Sequence, residues 1–190
     1  NQIKSIIDMK TITIGEIARI ASGINCKIIS NGKVHFHQMR DYNTETKTFA
    51  KKDMTDLNKN VVSHLLQRKD LLITAKGAKF YCAIYNCSGK KAVASNAFFV
   101  VRIFDKRITP EYLSWFLNQP EISQTLIQWK TNYFILNKDA IASLSLPLLD
   151  RTTQDNILTL YKEQKEAVKL QEKIFKESQS NILALIRNES

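Results

Sequence analysis

Cysteine is scarce: three in 190 residues, Cys26, Cys82 and Cys87, an odd number with no C-x-x-C pair. That spacing excludes a disulfide scaffold and a zinc knuckle, and makes a reduced, cytoplasmic compartment the expected one. No stretch approaches the roughly 18 uncharged apolar residues that a membrane span needs. The opening Asn1-Gln2-Ile3-Lys4 has no apolar run of the kind a signal peptide carries. Catalytic signatures are also missing: there is no G-x-G-x-x-G, Walker loop, H-E-x-x-H or G-x-S-x-G. Of the three histidines, His35 and His37 put two imidazoles on one strand face, as a metal pair would. His64 has no carboxylate partner at a recognisable spacing, so the pair is expected at the surface, toward solvent or a nucleic acid. Glu163-Gln164-Lys165 looks like half of a nuclease site but lies in a heptad pattern with no acidic strand before it. No catalytic residue, metal or cofactor is expected, and the chain reads as something other than an enzyme.

What is abundant is positive charge. The net charge is +10, with 28 basic and 18 acidic residues. From Asp155 onward six basic residues meet six acidic ones, so the whole excess, 22 against 12, lies in residues 1–154. A basic globular part beside a neutral tail suits a polyanionic partner. The 44% hydrophobic content and the length allow one well-buried domain and an appendage.

Along the chain, TITIGEIARIA (11–21) pairs a short strand with an amphipathic turn that Ser22-Gly23 breaks. KVHFHQ (33–38) alternates like a half-buried strand, with Val34 and Phe36 on one face and the histidines on the other. Residues 40–60 read as a polar loop with short elements. Strands are expected over 71–75, 80–86 and 92–104, the last being the most β-rich run of all. Thr109 is placed to cap a helix and Pro110 to start it, with Pro120 at its end. A second helix runs over about 121–129, a basic aromatic loop over 130–136, a short helical element over 137–144, and an extended segment over 144–149. From Thr153 to Arg187 there is neither Gly nor Pro. Tyr161, Val168, Phe175 and Ile182 recur every seven residues, with Leu160, Ala167 and Ile174 beside them. That stripe predicts a long helix, on the order of 50 Å, packed against another helix of similar length.

Three loops mix lysine or arginine with hydrogen-bonding and aromatic side chains: Gln38 to Tyr42 with Arg40, Lys76 to Tyr81 with Lys79, and Lys130 to Tyr133 with Asn132. Basic side chains neutralise phosphates and fix register, while Asn, Gln, Arg and Tyr reach base edges. Composition alone does not bring the loops to one face.

The order of segments resembles one half of the specificity (S) subunit of type I restriction-modification systems. ITIGEIARIASGIN (12–25) is similar to that family's opening strand, helix and Ser-Gly turn, and FHQMRDYN (36–43) to its second strand. LLQRKDLLITAKGAKFYCAIYN (65–86) resembles its strand and glycine loop, with Arg68-Lys69 in place of the usual small residue before Asp70. ASNAFFVVRI (94–103), YLSWFLNQPEISQTLIQ (112–128) and LSLPLLDRTTQDNI (144–157) resemble its Asn-containing strand, following helices and Leu-Pro segment.

The resemblance implies an α+β protein: a mixed, largely antiparallel β-rich target-recognition domain over 1–152, then one long coiled-coil-like helix over 153–190. Family members carry two such domains joined by two antiparallel helices. This chain is then either a half-length subunit or part of a longer one. The implied function is sequence-specific binding of double-stranded DNA. The implied partners are methyltransferase and restriction subunits and a second copy through the helix, the dimer reading an interrupted palindrome. Expected DNA contacts are Lys76, Lys79, Tyr81, Lys130, Asn132 and Tyr133, with Gln38, Arg40 and Asn96. Two other readings stand beside this one: the recognition domain of a single-chain restriction-methylation enzyme, and a coiled-coil module that does not bind DNA.

Overall fold

The computed structural model describes residues 10–46, 48–50, 53–86, 89–131 and 134–188, with side chains through Ile182. The chain divides into two compact units, Asn1–Asp150 and Arg151–Ser190.

The first unit is an α+β body built on a four-stranded antiparallel sheet in the order β2-β10-β7-β8. Its strands are β2 (Ala18–Ser22), β7 (Leu71–Thr74), β8 (Cys82–Ile84) and β10 (Phe98–Ile103). β-Branched and aromatic side chains suit the two central strands, whose faces are both largely covered. Leu71, Leu72, Ile73, Phe98 and Val101 are fully buried. In register, Val100 lies opposite Ala21 on one side and Leu72 on the other. The outer edge of β8 is covered by a side chain. Asn118 Oδ1 accepts from the Cys82 amide at 3.0 Å, and its Nδ2 donates to the Cys82 carbonyl at 2.8 Å. An edge so satisfied cannot template another strand at that position.

A second sheet, β6-β3-β9, joins β3 (Val34–His37) to β6 (Met54–Thr55) antiparallel and to β9 (Ala92–Ala94) parallel. Here the expectation of surface histidines is corrected. β3 is the middle strand, covered on both faces, and His35 and His37 are buried. Burial first, and the neighbouring His35 second, push the His37 imidazole down to about 4. Among the described residues no group of three or more metal-ligating side chains exists. The single strand expected over 92–104 is in fact two, β9 and β10. A turn at Ser95–Ala97, closed by Phe98 N–H donating to Ser95 O at 3.0 Å, sends them into different sheets. Gly23 packs against this turn so closely that a Cβ there would sit 2.1 Å from the Ser95 carbonyl oxygen.

Two small ladders complete the unit: β1 (Thr11–Thr13) with β11 (Ser145–Pro147), and β4 (Tyr42–Asn43) with β5 (Thr48–Phe49). Short helices fill the connections: α1 (Ile14–Ile17), α2 (Lys59–Ser63), α3 (Pro110–Leu117), α4 (Pro120–Gln128) and α5 (Lys138–Ser143). The capping expected for α3 is present, with Thr109 Oγ1 accepting from the Tyr112 amide at 3.1 Å and Pro110 at the first turn. Pro120 starts α4 as well as following α3. Asp70, 1% exposed at its side chain, accepts from Arg102 through both oxygens, at 2.8 and 2.7 Å. Asp70 also accepts from the Gln67 amide at 2.7 Å.

The second unit is one helix, α6 (Arg151–Asn188, 38 residues), about 57 Å long at ~1.5 Å per residue. Its i,i+4 ion pairs run Arg151–Asp155, Lys162–Glu166 and Lys173–Glu177. Glu163-Gln164-Lys165 lies inside this helix, and the Lys165 ammonium stands 5.3 Å over the Tyr161 ring. No helix among the described residues is long and apolar enough to cross a membrane.

Candidate nucleic-acid interface

The hairpin β7–β8 reverses over 75–81, and Gly77 takes φ +86°, a conformation glycine reaches without strain. A Cβ at Gly77 would meet only the Met39 methyl, at 3.3 Å, so the 38–42 segment lies close against this loop. Thr74 Oγ1 accepts from the Tyr81 amide at 3.1 Å and donates to the Lys79 carbonyl at 3.3 Å, tying the base of the hairpin.

Two sets of contacts then join this loop to the other two. Toward residues 38–42, the Tyr81 ring stacks on Tyr42 with centroids 4.5 Å apart, and the Tyr81 hydroxyl donates to the Met39 carbonyl at 3.4 Å. Toward residues 130–136, Lys76 forms an antiparallel bridge with Ile135, and the Leu136 amide donates to the Ala75 carbonyl at 2.8 Å. Lys130 Nζ donates to the Gly77 carbonyl at 2.7 Å and to the Lys79 carbonyl at 3.0 Å. These contacts tie the described parts of the three basic loops to one another.

The expected contact residues divide by what their side chains do. Lys79 is exposed and Lys76 half-buried, and neither ammonium is in an ion pair among the described residues. Lys130 is half-buried, and burial lowers its pKa. Tyr81 faces inward, edge-on to Phe98 at 6.0 Å, and burial raises its phenol pKa well above the usual value. Its neighbour Tyr42 is pushed up to about 12 by burial and then by Cys82. Both rings are packing groups that stay neutral. Asn132 and Tyr133 lie outside the described residues.

Gln38, Arg40 and Asn96 line a cleft of about 410 Å³ with Asn25, Ser95 and Met39, and with Phe36 among its apolar residues. Sequence reasoning missed the residue that holds two of these side chains. Asp53 Oδ2 accepts from both Gln38 Nε2 and an Arg40 terminal nitrogen, each at 2.5 Å. Asp53 is 13 residues from Arg40 in sequence, so no local pattern announces it. The Arg40 side chain remains 64% exposed and keeps donors to offer. Asn96 sits at the tip of the β9–β10 turn, half-buried, its amide without a hydrogen-bond partner among the described residues. An amide and a guanidinium beside apolar residues suit a planar ring edge with donors and acceptors. Around the loop pair, Trp129, Phe134 and Ile135 are 43, 55 and 43% exposed, which adds apolar surface to the basic array. Phe134 holds φ +56°, a conformation rare for a bulky side chain, and its ring points into solvent.

On α6, Leu160, Ala167, Val168, Ile174, Phe175 and Ile182 are exposed, and Tyr161 is half-buried. Phe175 and Leu160 are 62 and 65% exposed in the unpaired helix.

No protein-family model and no curated protein matches the sequence. Solved structures match its fold. The HsdS subunit from Thermoanaerobacter tengcongensis does so with a TM-score of 0.65 at 15% identity, over 84% of this chain and 38% of that one. A chain from a structure of complex assembly and conformational transition in the type I R-M system gives 0.66 at 15% identity, over 93% and 43%. The type I restriction-modification S subunit from M. genitalium gives 0.57 at 10% identity, over 85% and 40%. The chain shares its α+β fold with these solved chains, as the segment order implied. It spans about two fifths of the length of the solved chains it matches.

Proposed function

We propose that this chain binds double-stranded DNA sequence-specifically, as the specificity component, whole or part, of a type I restriction-modification system. The observation that carries the reading is the contact between the three basic loops through Lys130, the 76–135 bridge and the Tyr42–Tyr81 stack. Residues 1–150 hold 21 basic and 12 acidic side chains, so the excess charge belongs to the unit that carries this surface. Lys76 and Lys79 contact phosphates and set register, while Arg40 and Asn96 at the cleft read bases. The chemistry of modification and cleavage belongs to methyltransferase and restriction subunits that this chain positions.

The exposed stripe of α6 supports pairing with a second copy. Its apolar residues repeat at seven-residue spacing, and from Asp155 onward six basic residues meet six acidic ones, so two copies meet with little net repulsion. Two-fold symmetry then demands two inverted half-sites at a fixed separation. Selection of bound oligonucleotides by the full chain tests this directly. The expected product is an interrupted palindrome, and Asn96→Ala relaxes one position in each half. Enrichment of a single unrepeated site would overturn the dimer, and no enrichment would overturn the DNA reading.

A further inference from the structure

Lys130 looks like one more phosphate contact by residue type, yet its surroundings assign it another task. We infer that Lys130 is a positioning residue, whose ammonium latches the 75–81 hairpin loop to the 130–136 segment and so fixes where Lys76 and Lys79 stand. The inference rests on the DNA-recognition reading for its consequence, though the latch itself is a property of the free chain.

An ammonium has three donors in a compact head. Two of the three are committed here, to the Gly77 carbonyl at 2.7 Å and the Lys79 carbonyl at 3.0 Å. Those two carbonyls flank Ala78, so Lys130 grips the tip of the loop from outside the hairpin. The rest of the connection is backbone: the Lys76–Ile135 bridge and the Leu136-to-Ala75 hydrogen bond at 2.8 Å. Within the 130–136 segment, the Thr131 amide donates to the Ile135 carbonyl at 2.9 Å and the Phe134 amide to the Thr131 carbonyl at 2.8 Å. Among the described residues, Lys130 is therefore a side chain that spans the two segments at the loop tip, where the backbone bridge does not reach. Gly77, at φ +86°, has no side chain of its own to brace the turn, which makes an outside brace effective there.

A latch and a phosphate contact differ in what their loss does. A lysine that neutralises a phosphate contributes about 0.9 to the slope of log K against log salt. A latch contributes nothing to that slope, but its loss loosens the loop and blurs selectivity. Lys130→Met, Lys130→Arg and Lys79→Met are compared in the full chain by two readouts. The first is limited trypsin digestion under native conditions, following cleavage after Lys76 and Lys79 by mass spectrometry. Lys130→Met should speed cleavage after Lys76 by about tenfold, the loss of charge-assisted hydrogen bonds at a local opening, and Lys130→Arg should protect like the wild type. The second is binding of selected against scrambled duplex across a salt series. Lys79→Met should shallow the slope by about one unit, while Lys130→Met leaves the slope alone and lowers the selected-to-scrambled ratio. Lys130→Met with an unchanged digestion rate and a slope as shallow as that of Lys79→Met would overturn the inference. If the wild type shows no salt-dependent binding, the DNA reading fails, and the digestion arm still decides the latch.

Discussion

Replacing Lys76 and Lys79 together with alanine gives the sharpest quantitative test of the loop surface. Neither ammonium is engaged in an ion pair among the described residues, so each is available to displace one counterion from a duplex. The fold should tolerate both changes, because the backbone bridge from residue 76 to Ile135 and the Thr74 contacts to residues 79 and 81 involve no lysine side chain. Each phosphate contact contributes about 0.9 to the salt slope, so the double variant loses about 1.8. At ~0.15 M salt this is roughly a fivefold loss per lysine and about 30-fold for both, or ~2 kcal/mol. The same arithmetic makes the loss vanish as salt approaches ~1 M. Fluorescence anisotropy on one labelled duplex, titrated at four or five salt concentrations, measures both numbers. A loss of equal size at every salt concentration would mean that the lysines act through loop structure. No loss at any salt would remove this loop from the interface.

Other consequences follow from single sites. Arg102→Met leaves the Asp70 carboxylate buried with the Gln67 amide as its remaining partner from that network. A fully buried pair so broken costs ~3–5 kcal/mol; partial exposure of Arg102 reduces this to about 2–3 kcal/mol, or roughly 5–10 °C in Tm by calorimetry. His37, held down to about 4 against an unfolded value near 6.5, is neutral in the folded chain while the unfolded chain takes a proton. Its contribution is complete above pH ~6.5 and is lost as pH falls toward ~4, on the order of 3 kcal/mol. Urea titrations across that window should show the loss in the wild type and a flatter profile in His37→Gln. Ile174→Asp with Phe175→Asp puts charge into the exposed stripe of α6 without touching the loops. Sedimentation velocity should then show monomer at concentrations where the wild type is a dimer, with the thermal transition of the first unit unchanged.

Much of the architecture was legible because local rules and tertiary packing agree. The α3 start follows from Thr109 and Pro110, and the long helix from an uninterrupted heptad stripe. Where packing overruled local pattern, the sequence misled. His35 and His37 alternate with Val34 and Phe36 as a half-exposed strand would, but β3 is flanked by β6 and β9 and covered on both faces. The break at Ser95–Ala97 hides inside a uniformly β-rich run, since a three-residue turn leaves little compositional trace. The three loops were recognisable by composition, but their convergence depends on contacts such as Lys130 to Gly77, 53 residues apart. Asp53 was invisible for the same reason, its role being set by Gln38 and Arg40 across a loop.

The central claim is that this basic loop surface reads DNA sequence. The most direct measurement is selection of duplexes from a randomised pool by the 190-residue chain, followed by competition of the selected site against a scrambled one at ~0.15 M salt. An interrupted palindrome should be enriched and held at least about a thousandfold tighter than the scrambled duplex, the lower end of specific recognition. A pool that stays random after repeated rounds, or equal affinity for both duplexes, would contradict it.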